Sequence, residues 1–387
     1  MTAPPPSGPR LDLGALLADP STRIVVCCGS GGVGKTTTAA AMGVLAAERG
    51  RHAVVITVDP ARRLAQSMGL SELDNTPRPV ELPAETGDAT AERTGRPRGS
   101  LHAMMLDMKR TFDEIVEAHA DPERARQILA NPFYQSLSTS FSGTQEYMAM
   151  EKLGQLRQSG EWDLIIVDTP PSRSALDFLD APKRLGRFLD GRLIRFLSAP
   201  PATGAFRLLG AGVGMVTSMI GKIVGAQVLK DVQTFITAFD AVFGGFQERA
   251  EQTYRLLQAP GTAFIVVAVP ESDALREASY FIDRLGTDRM PLAGLVLNRV
   301  HPVSAPGLAA ERAEAAARSL AEAAEHPLAE AALRLHAESA RVRAREARLR
   351  GGLTAAHPEV PVVDVPARPE DVHDLAALRA IGHDLAR

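Results

Sequence analysis

The chain contains 387 residues, with 43 Lys and Arg against 46 Asp and Glu, and its formal net charge is −3. This balance argues against a nucleic-acid-binding protein that depends on a large basic surplus. Cys27 and Cys28 are adjacent and are the only two cysteines, which excludes a disulfide scaffold and a CxxC motif. Hydrophobic residues make up 45% and aromatic residues 5%, so aliphatic side chains supply most of the apolar mass. This composition predicts a soluble, intracellular α/β protein without nucleic acid as a partner.

Neither a secretory signal nor a membrane span is expected from the sequence. Residues 1–9 are rich in proline and contain no apolar run, so they do not resemble a signal peptide. The most apolar stretch, 208–221, holds 14 uncharged residues. A span needs about 18–20 such residues, so we predict no transmembrane segment.

Apolar runs of strand length alternate along the chain with segments of helical pattern. Continuous hydrophobicity is typical of strands covered on both faces, as in a parallel sheet. Strands that alternate with helices indicate right-handed βαβ crossovers. The sequence therefore predicts an α/β fold with a doubly wound, mostly parallel sheet. Its predicted strands are 23–28, 53–58, 101–106, 164–168, 264–269, 292–298 and 361–365.

Two spacers between these runs are longer than crossovers usually are. Residues 109–160 and 173–257 have a helical pattern, and we predict that together they form a helical subdomain inserted into the sheet domain. The sheet domain then comprises residues 20–108, 161–172 and 258–387.

Three further segments have a distinctive composition. Residues 1–19 and the Pro- and Gly-containing stretch 76–100 are predicted to be flexible. The stretch 308–350, rich in Ala, Glu and Arg, predicts two exposed helices that are separated at Pro327. A coiled coil is the alternative for this stretch, although no heptad repeat continues across the proline.

The segment 29–37, GSGGVGKTT, matches the pattern GxxxxGK[ST] between a predicted strand and a predicted helix. Glycines let backbone N–H groups turn inward around an anion, and a helix N-terminus adds about half a positive charge. Lys35 would carry its ammonium to the β- and γ-phosphates, and Thr36 would place its hydroxyl on Mg²⁺. A glycine-rich turn that matches by chance is the alternative. The predicted nucleotide-binding residues are Gly29, Ser30, Gly31, Gly32, Val33, Gly34, Lys35, Thr36 and Thr37.

Two aspartates end predicted strands, Asp59 and Asp168. An acid at the carboxyl end of a parallel strand lies on the edge of the sheet that binds ligands. Asp168 closes the run LIIVD, which is the Walker B pattern for holding Mg²⁺ through water, and Asp59 would orient the attacking water or join the Mg²⁺ shell. Turn or helix-capping aspartates are the alternative. We predict catalytic roles for Asp59 and Lys35, and Mg²⁺ binding by Thr36, Asp59 and Asp168.

Several motifs together resemble the ArsA-type ATPases, a family that includes the arsenite-pump ATPase and the ATPases that target tail-anchored proteins. More closely, the chain resembles the paired ArsA-like ATPases of actinobacteria. The similarity extends over most of the chain. The motifs are GGVGKTT (31–37), DPARRL (59–64), LHAMMLD (101–107), FSGTQEYMAME (141–151), DTPPS (168–172) and LDFLDAP (176–182).

This resemblance implies ATP and Mg²⁺ as ligands and a dimer bridged by nucleotide. It implies switch I at 59–64 and switch II from Asp168 onward. It also places Asn298 at the adenine edge and Pro366 against the base. From composition alone, a strand-terminal turn residue is the alternative for Asn298.

Ser30 departs from the family pattern, which has at this position a lysine that reaches the partner's nucleotide. A cation supplied across a dimer is worth about 10³–10⁵ in rate, so its loss is severe for a homodimer. We therefore predict a heterodimer with an ArsA-like partner that carries the lysine, with a homodimer as the alternative. Arg62, Arg63 or Arg173 could supply the charge instead.

Metal-binding residues of the family are missing from the sequence. The eukaryotic targeting ATPases use a CxxC zinc site, and the arsenite pump uses cysteines of its helical region. Cys27 and Cys28 precede the phosphate loop and are predicted to be small core residues. We predict neither zinc binding nor arsenite transport.

The cargo of such an ATPase is not evident from the sequence. The apolar stretch 205–228, with Met215 and Met219, matches the place where the targeting ATPases bind apolar clients. An ordinary packed helix is the alternative. Two other classes stay open, a non-hydrolysing ATP-binding subunit and a positioning ATPase of the ParA/MinD type. We expect a cytoplasmic protein, with peripheral membrane association left open.

Overall fold

The computed structural model describes residues 8–58, 62–82, 99–132, 134–135, 144–170, 246–324 and 326–387. The chain divides into two compact units. Unit 1 comprises Met1–Met105, Ser159–Leu176 and Leu257–Arg387, and unit 2 comprises Leu106–Gln158 and Asp177–Leu256.

Unit 1 is built on a sheet that contains all seven strands expected from the apolar runs. The strands are Ile24–Cys28 (β1), His52–Thr57 (β2), Arg78–Val80 (β3), Ser100–Met105 (β4), Leu164–Asp168 (β5), Thr262–Ala268 (β6), Leu292–Val300 (β7) and Val362–Pro366 (β8). Their order across the sheet is β3-β4-β2-β5-β1-β6-β7-β8. Every pair is parallel except β3–β4, which is antiparallel. The predicted α/β fold with a mostly parallel sheet is confirmed.

The helices alternate with these strands as the sequence predicts. They are Leu13–Ala18 (α1), Lys35–Glu48 (α2), Arg62–Ser67 (α3), Met108–His119 (α4), Pro122–Ala130 (α5), Thr144–Ser159 (α6), Phe246–Gln258 (α7), Ser272–Thr287 (α8), Ala310–Ala323 (α9), Pro327–Ala356 (α10) and Leu375–Leu385 (α11).

Helix α2 forms the centre of one layer, between the sheet and α11. It approaches β2 and β4 closely at Gly43, where a Cβ atom would lie 2.6 Å from the Cγ2 atom of Val55 and 2.9 Å from the Cδ1 atom of Leu101. On its other side it contacts α11, whose Leu378 is fully buried. The amphipathic helix α11 therefore buries its apolar face against α2 and against strand β8 of the sheet.

Helix α1 lies inside the stretch 1–19, for which flexibility stays a prediction. The Asp12 side chain caps it by accepting a hydrogen bond from the backbone N of Ala15 at 2.8 Å. Leu13 and Leu17 are fully buried. Six residues are too few to form a helix alone, so these tertiary contacts stabilise it.

Strand β3 lies inside the stretch 76–100, for which flexibility also stays a prediction. Its three residues pair with β4, and Val80 is buried. Residues 83–98 of the same stretch lie outside the described residues.

The secondary structure of unit 2 is helical throughout the residues described. Lys152 Nζ of α6 donates a hydrogen bond to Glu114 Oε2 of α4 at 3.0 Å. Arg249 Nε of α7 donates to Glu151 Oε1 of α6 at 3.1 Å. Most of the segment 173–257, including 205–228, lies outside the described residues.

Helices α9 and α10 form the two exposed helices predicted for 308–350. They separate at Pro327, which begins α10, because proline lacks the N–H that a helix interior requires but fits the first turn. Over the described ranges of the chain, none of the helices is both long enough and apolar enough to cross a membrane.

Arg51 joins the end of α2 to several loops of unit 1. Its guanidinium donates hydrogen bonds to the carbonyls of Leu17 at 3.1 Å, Asp19 at 2.6 Å, Thr22 at 2.7 Å and Asp163 at 2.8 Å. One buried charged group therefore supplies donors to four carbonyl groups from two separate segments, residues 17–22 and Asp163.

We predict that Arg51→Ala lowers the free energy of unfolding by about 3 kcal/mol, because buried carbonyls lose a charged donor. Urea unfolding measures this loss. Arg276→Ala, at a side chain that is 75% exposed, is the control and should change stability by less than about 0.5 kcal/mol. Equal effects of the two variants would contradict the role of Arg51.

Candidate nucleotide-binding site

The predicted phosphate loop connects β1 to α2 at the carboxyl edge of the sheet. Gly29 has φ +149°, and a Cβ atom there would lie 2.2 Å from the carbonyl oxygen of Val267 in β6. Gly34 has φ +93° and begins the first turn of α2. Only glycine satisfies both demands without strain, so Gly29 reflects the close approach of this loop to β6 and Gly34 reflects the left-handed turn that leads into α2.

Lys35 is the first residue of α2, and only 5% of it is exposed. Its Nζ atom donates a hydrogen bond to the carbonyl oxygen of Ser30, at 2.8 Å. The ammonium thus lies over its own loop, next to the N-terminus of α2. The charge of the ammonium and the positive end of the helix dipole favour an anion at the same place.

Asp168 ends β5 and is fully buried beneath the loop. Its Oδ2 atom accepts hydrogen bonds from Thr36 Oγ1 at 2.6 Å and from Thr57 Oγ1 at 3.0 Å. Parallel pairing places the ends of β1, β5 and β2 side by side, with Cys27 and Thr57 as the register partners of Asp168. The structure therefore brings Thr36 and Asp168 together, and Mg²⁺ binding by these two residues stays a prediction.

Two threonines of the site were not found from the sequence as functional residues. Thr57 donates to Asp168, and Thr169 donates from Oγ1 to the carbonyl oxygen of Cys27 at 2.7 Å. A hydroxyl at the end of a buried strand, as in Thr57, is the signal that could have identified the first of them.

Asn298 lies in β7, where the pairing with β8 shifts register between Leu297 and Val300. Its Nδ2 atom donates to the carbonyl oxygen of Val33 at 2.9 Å, and its Oδ1 atom accepts from the backbone N of Arg299 at 3.0 Å. Arg299 has φ +58°, which is unusual for a residue with a side chain. The irregular strand end thus places the Asn298 amide against the phosphate loop.

Pro366 ends β8 and is exposed. It lines a cavity of about 400 Å³ together with Arg350, Asp364 and Arg387. Its register partner in β7 is Val300, two residues beyond Asn298. Contact of Pro366 with a nucleotide base stays a prediction.

The remaining predicted residues are only partly covered by the described chain. Asp59 and Arg173 lie outside the described residues, as do the side chains of Arg62 and Arg63. Val58, next to Asp59, donates its backbone N–H to the carbonyl oxygen of Asp168 at 3.2 Å.

Cys27 and Cys28 are buried and unlinked. Burial raises the pKa of the Cys28 thiol to about 12, and burial, with the charge of Asp168 adding to it, raises the pKa of Cys27 well above its usual value. Both thiols therefore stay protonated and act as small core groups. Within the described ranges, groups of three or more His, Cys, Asp or Glu placed to hold a metal are not found.

A buried strand, a glycine loop, a lysine at the start of the following helix and a Thr–Asp pair at the same sheet edge define a phosphate-loop NTPase. Residues 22–316 match the sequence profile of the ArsA ATPase family, described as anion-transporting ATPase. The chain belongs to this family, which confirms the resemblance seen in its motifs.

Several characterised relatives share this sequence similarity. ATPase GET3 of Malassezia globosa is 27% identical over 225 residues, which are 57% of this chain and 61% of that protein. ATPase GET3 of Podospora anserina is 25% identical over 295 residues, 74% of this chain and 76% of that protein. ATPase ARSA2 of Chlamydomonas reinhardtii is 25% identical over 283 residues, 70% of this chain and 66% of that protein.

Gly29 and Gly32 offer a matched test of the loop geometry. We predict that Gly29→Ala costs about 2–4 kcal/mol of stability and abolishes nucleotide binding, because its Cβ overlaps a backbone carbonyl. Gly32 has φ +77° and no atom within 4 Å of an added Cβ, so Gly32→Ala should cost about 1–2 kcal/mol. Urea unfolding and titration with a fluorescent ATP analogue measure both effects. Equal losses in the two variants would contradict the assigned close contact.

Proposed function

We propose that the chain binds and hydrolyses ATP with Mg²⁺ and works as a nucleotide-gated dimer. The observation that carries this proposal is the 2.6 Å hydrogen bond between Thr36 Oγ1 and Asp168 Oδ2. It brings a hydroxyl and a carboxylate, both ligands that suit Mg²⁺, to the foot of a phosphate loop that already holds Lys35. Membership of a family of ATPases supports the same conclusion.

In this proposal the residues of the chain have the following roles in ATP binding and hydrolysis. The loop amides and the Lys35 ammonium bind the phosphates, for which the ammonium must leave the Ser30 carbonyl. Thr36 and Asp168 would hold Mg²⁺, the carboxylate through water, and Mg²⁺ neutralises charge on the β- and γ-phosphates when bound. Asp59 would orient the attacking water. Asn298 and Pro366 would flank the adenine.

Thr36→Val removes the hydroxyl while keeping the side-chain shape. We predict that it lowers ATP turnover at least about a hundredfold, because the metal loses a ligand, while ATP binding in EDTA persists. Phosphate release and titration with a fluorescent ATP analogue measure the two quantities. Thr287→Val, on α8, is the matched control and should leave turnover unchanged. A Thr36→Val variant with normal turnover would refute the proposed metal site.

Ser30 supports a heterodimer as the working form. Its backbone carbonyl is engaged by Lys35, and its side chain carries no charge that could reach another subunit's nucleotide. A partner of the same family with lysine at this position would complete the site on this chain. Ser30 also favours a second candidate, a subunit that binds ATP without hydrolysing it.

We predict that the isolated chain hydrolyses ATP slowly and that a lysine-bearing partner accelerates it by up to about 10³-fold. Ser30→Lys should raise the turnover of the isolated chain in the same direction. Full turnover by the unmodified chain alone would contradict the heterodimer. Turnover that stays absent with the partner would identify the non-hydrolysing subunit.

We further propose that the nucleotide state controls an apolar client or a process at a membrane, in a cytoplasmic protein. The support is the composition of 205–228, with Met215 and Met219, a segment outside the described residues. Methionine-rich surfaces adapt to varied apolar ligands.

A further inference from the structure

Helix α10 presents a buried carboxylate to the end of β7, the strand that carries Asn298. Glu346 is only 5% exposed. Its Oε2 atom accepts a hydrogen bond from the backbone N of His301 at 3.0 Å, and its Oε1 atom lies 2.5 Å from Nδ1 of the same residue. Because an ionised carboxylate offers only acceptors, the ring nitrogen is the donor of this second bond. Glu346 thus binds both the backbone and the ring of His301.

The backbone next to His301 is irregular. The pairing of β7 with β8 shifts register here, and Arg299 adopts φ +58°. A residue with a side chain keeps this left-handed conformation where surrounding contacts impose it. One such contact is the bond from His301 to Glu346. Another is the hydrogen bond from the backbone N of Ala367 to the carbonyl oxygen of Val300, at 2.9 Å.

The same helix also holds the neighbouring strand β8. Arg343 Nη2 donates to Asp364 Oδ2 at 3.3 Å, and Arg350 Nε lies 3.4 Å from Asp364 Oδ1. Asp364 precedes Pro366 by two residues. Side chains of α10 therefore contact the ends of both strands that carry residues expected at the base, Asn298 and Pro366.

The Asn298 amide has the groups that distinguish adenine from guanine. Its Nδ2 donates to Val33, and its Oδ1 accepts from the backbone N of Arg299. A carboxamide carries two donor hydrogens and two acceptor lone pairs, so each atom can make a further bond. Adenine offers its N6 amine as donor and its N7 as acceptor, which a carboxamide pairs with at both atoms. Guanine offers two acceptors, O6 and N7, so the amide can satisfy only one of them.

We propose that Glu346 is a positioning residue for recognition of the base. Through His301 it would hold the end of β7 so that the Asn298 amide can pair with adenine. This inference rests on the nucleotide site proposed above and adds a residue that determines its specificity. Glu346 itself lies beyond residues 22–316, which match the ATPase family.

The phosphate loop is held by contacts that do not involve Glu346. Gly29 lies against β6, Lys35 donates within the loop and Thr36 donates to Asp168. Loss of Glu346 is therefore expected to weaken recognition of the base and to leave binding of the triphosphate in place.

The test measures three probes on the full chain by isothermal titration calorimetry: ATP, GTP and inorganic tripolyphosphate. Glu346→Met removes the acceptor atoms and keeps the length of the side chain. We expect it to lower the affinity for ATP roughly tenfold, the value of a single hydrogen bond to the base, and to leave GTP and tripolyphosphate unchanged. Glu346→Gln keeps an acceptor for the backbone N of His301 and should restore most of the affinity for ATP.

Two further variants separate positioning from general loosening of α10. Glu314 on α9 accepts a hydrogen bond from Arg341 of α10 at 3.0 Å, so Glu314→Met removes a contact of the same helix far from β7. It should bind all three probes normally. The His301 side chain is 54% exposed, and His301→Ala removes only its ring donor. This variant should fold and lose about threefold in affinity for ATP, so it carries the comparison if Glu346→Met does not fold.

A double-mutant cycle with Asn298→Ala shows whether Glu346 acts through the amide. In a chain that already carries Asn298→Ala, Glu346→Met or His301→Ala should cost no further affinity for ATP. A merely structural role would instead give the same loss in both backgrounds and for all three probes, and would overturn the proposal.

The remaining outcomes distinguish this proposal from the proposed function. Absence of ATP binding by the unmodified chain would overturn the nucleotide site and the role of Glu346 with it. Normal ATP binding by the unmodified chain, with equal affinity in Glu346→Met, His301→Ala and Glu314→Met, would overturn the role of Glu346 alone.

Discussion

The buried carboxylate of Asp168 is the constraint on which the arrangement of the site depends. A charged group at 0% exposure requires hydrogen-bond donors, and Thr36 and Thr57 supply them from two other segments. Thr36 is 132 residues away in sequence, so the contact exists only because β5 lies between β1 and β2. The same order brings the phosphate loop over the carboxylate and against β6. The strand order, the glycines of the loop and the positions of the threonine hydroxyls therefore depend on one another.

Features that depend on short sequence segments were predicted well. The seven apolar strands follow from runs that can only be buried on both faces, and the phosphate loop follows from glycines in a fixed pattern before a helix. The rule that parallel strands end at one edge placed Asp168 at the predicted site, and Mg²⁺ binding by Thr36, Asp59 and Asp168 stays a prediction. Helix α10 begins at Pro327 for an equally local reason.

Features that depend on distant contacts were not predicted from the sequence. Helix α1 is only six residues long and depends on buried leucines and on carbonyl groups held by Arg51, which no local pattern reveals. Strand β3 exists because β4 offers it a partner. The Asn298 amide meets the loop through a register shift, and Thr57 enters the site through strand pairing. Periodicity carries no information on any of these.

The hydrogen bond between Lys35 and the Ser30 carbonyl gives the ammonium a partner within its own loop. A bond of this charged kind contributes about 1.5–3 kcal/mol, and a phosphate bound as we propose would have to replace it before any gain from the ammonium counts. The intrinsic free energy of phosphate binding would be less favourable by this amount, which corresponds to a roughly ten- to a hundredfold lower affinity.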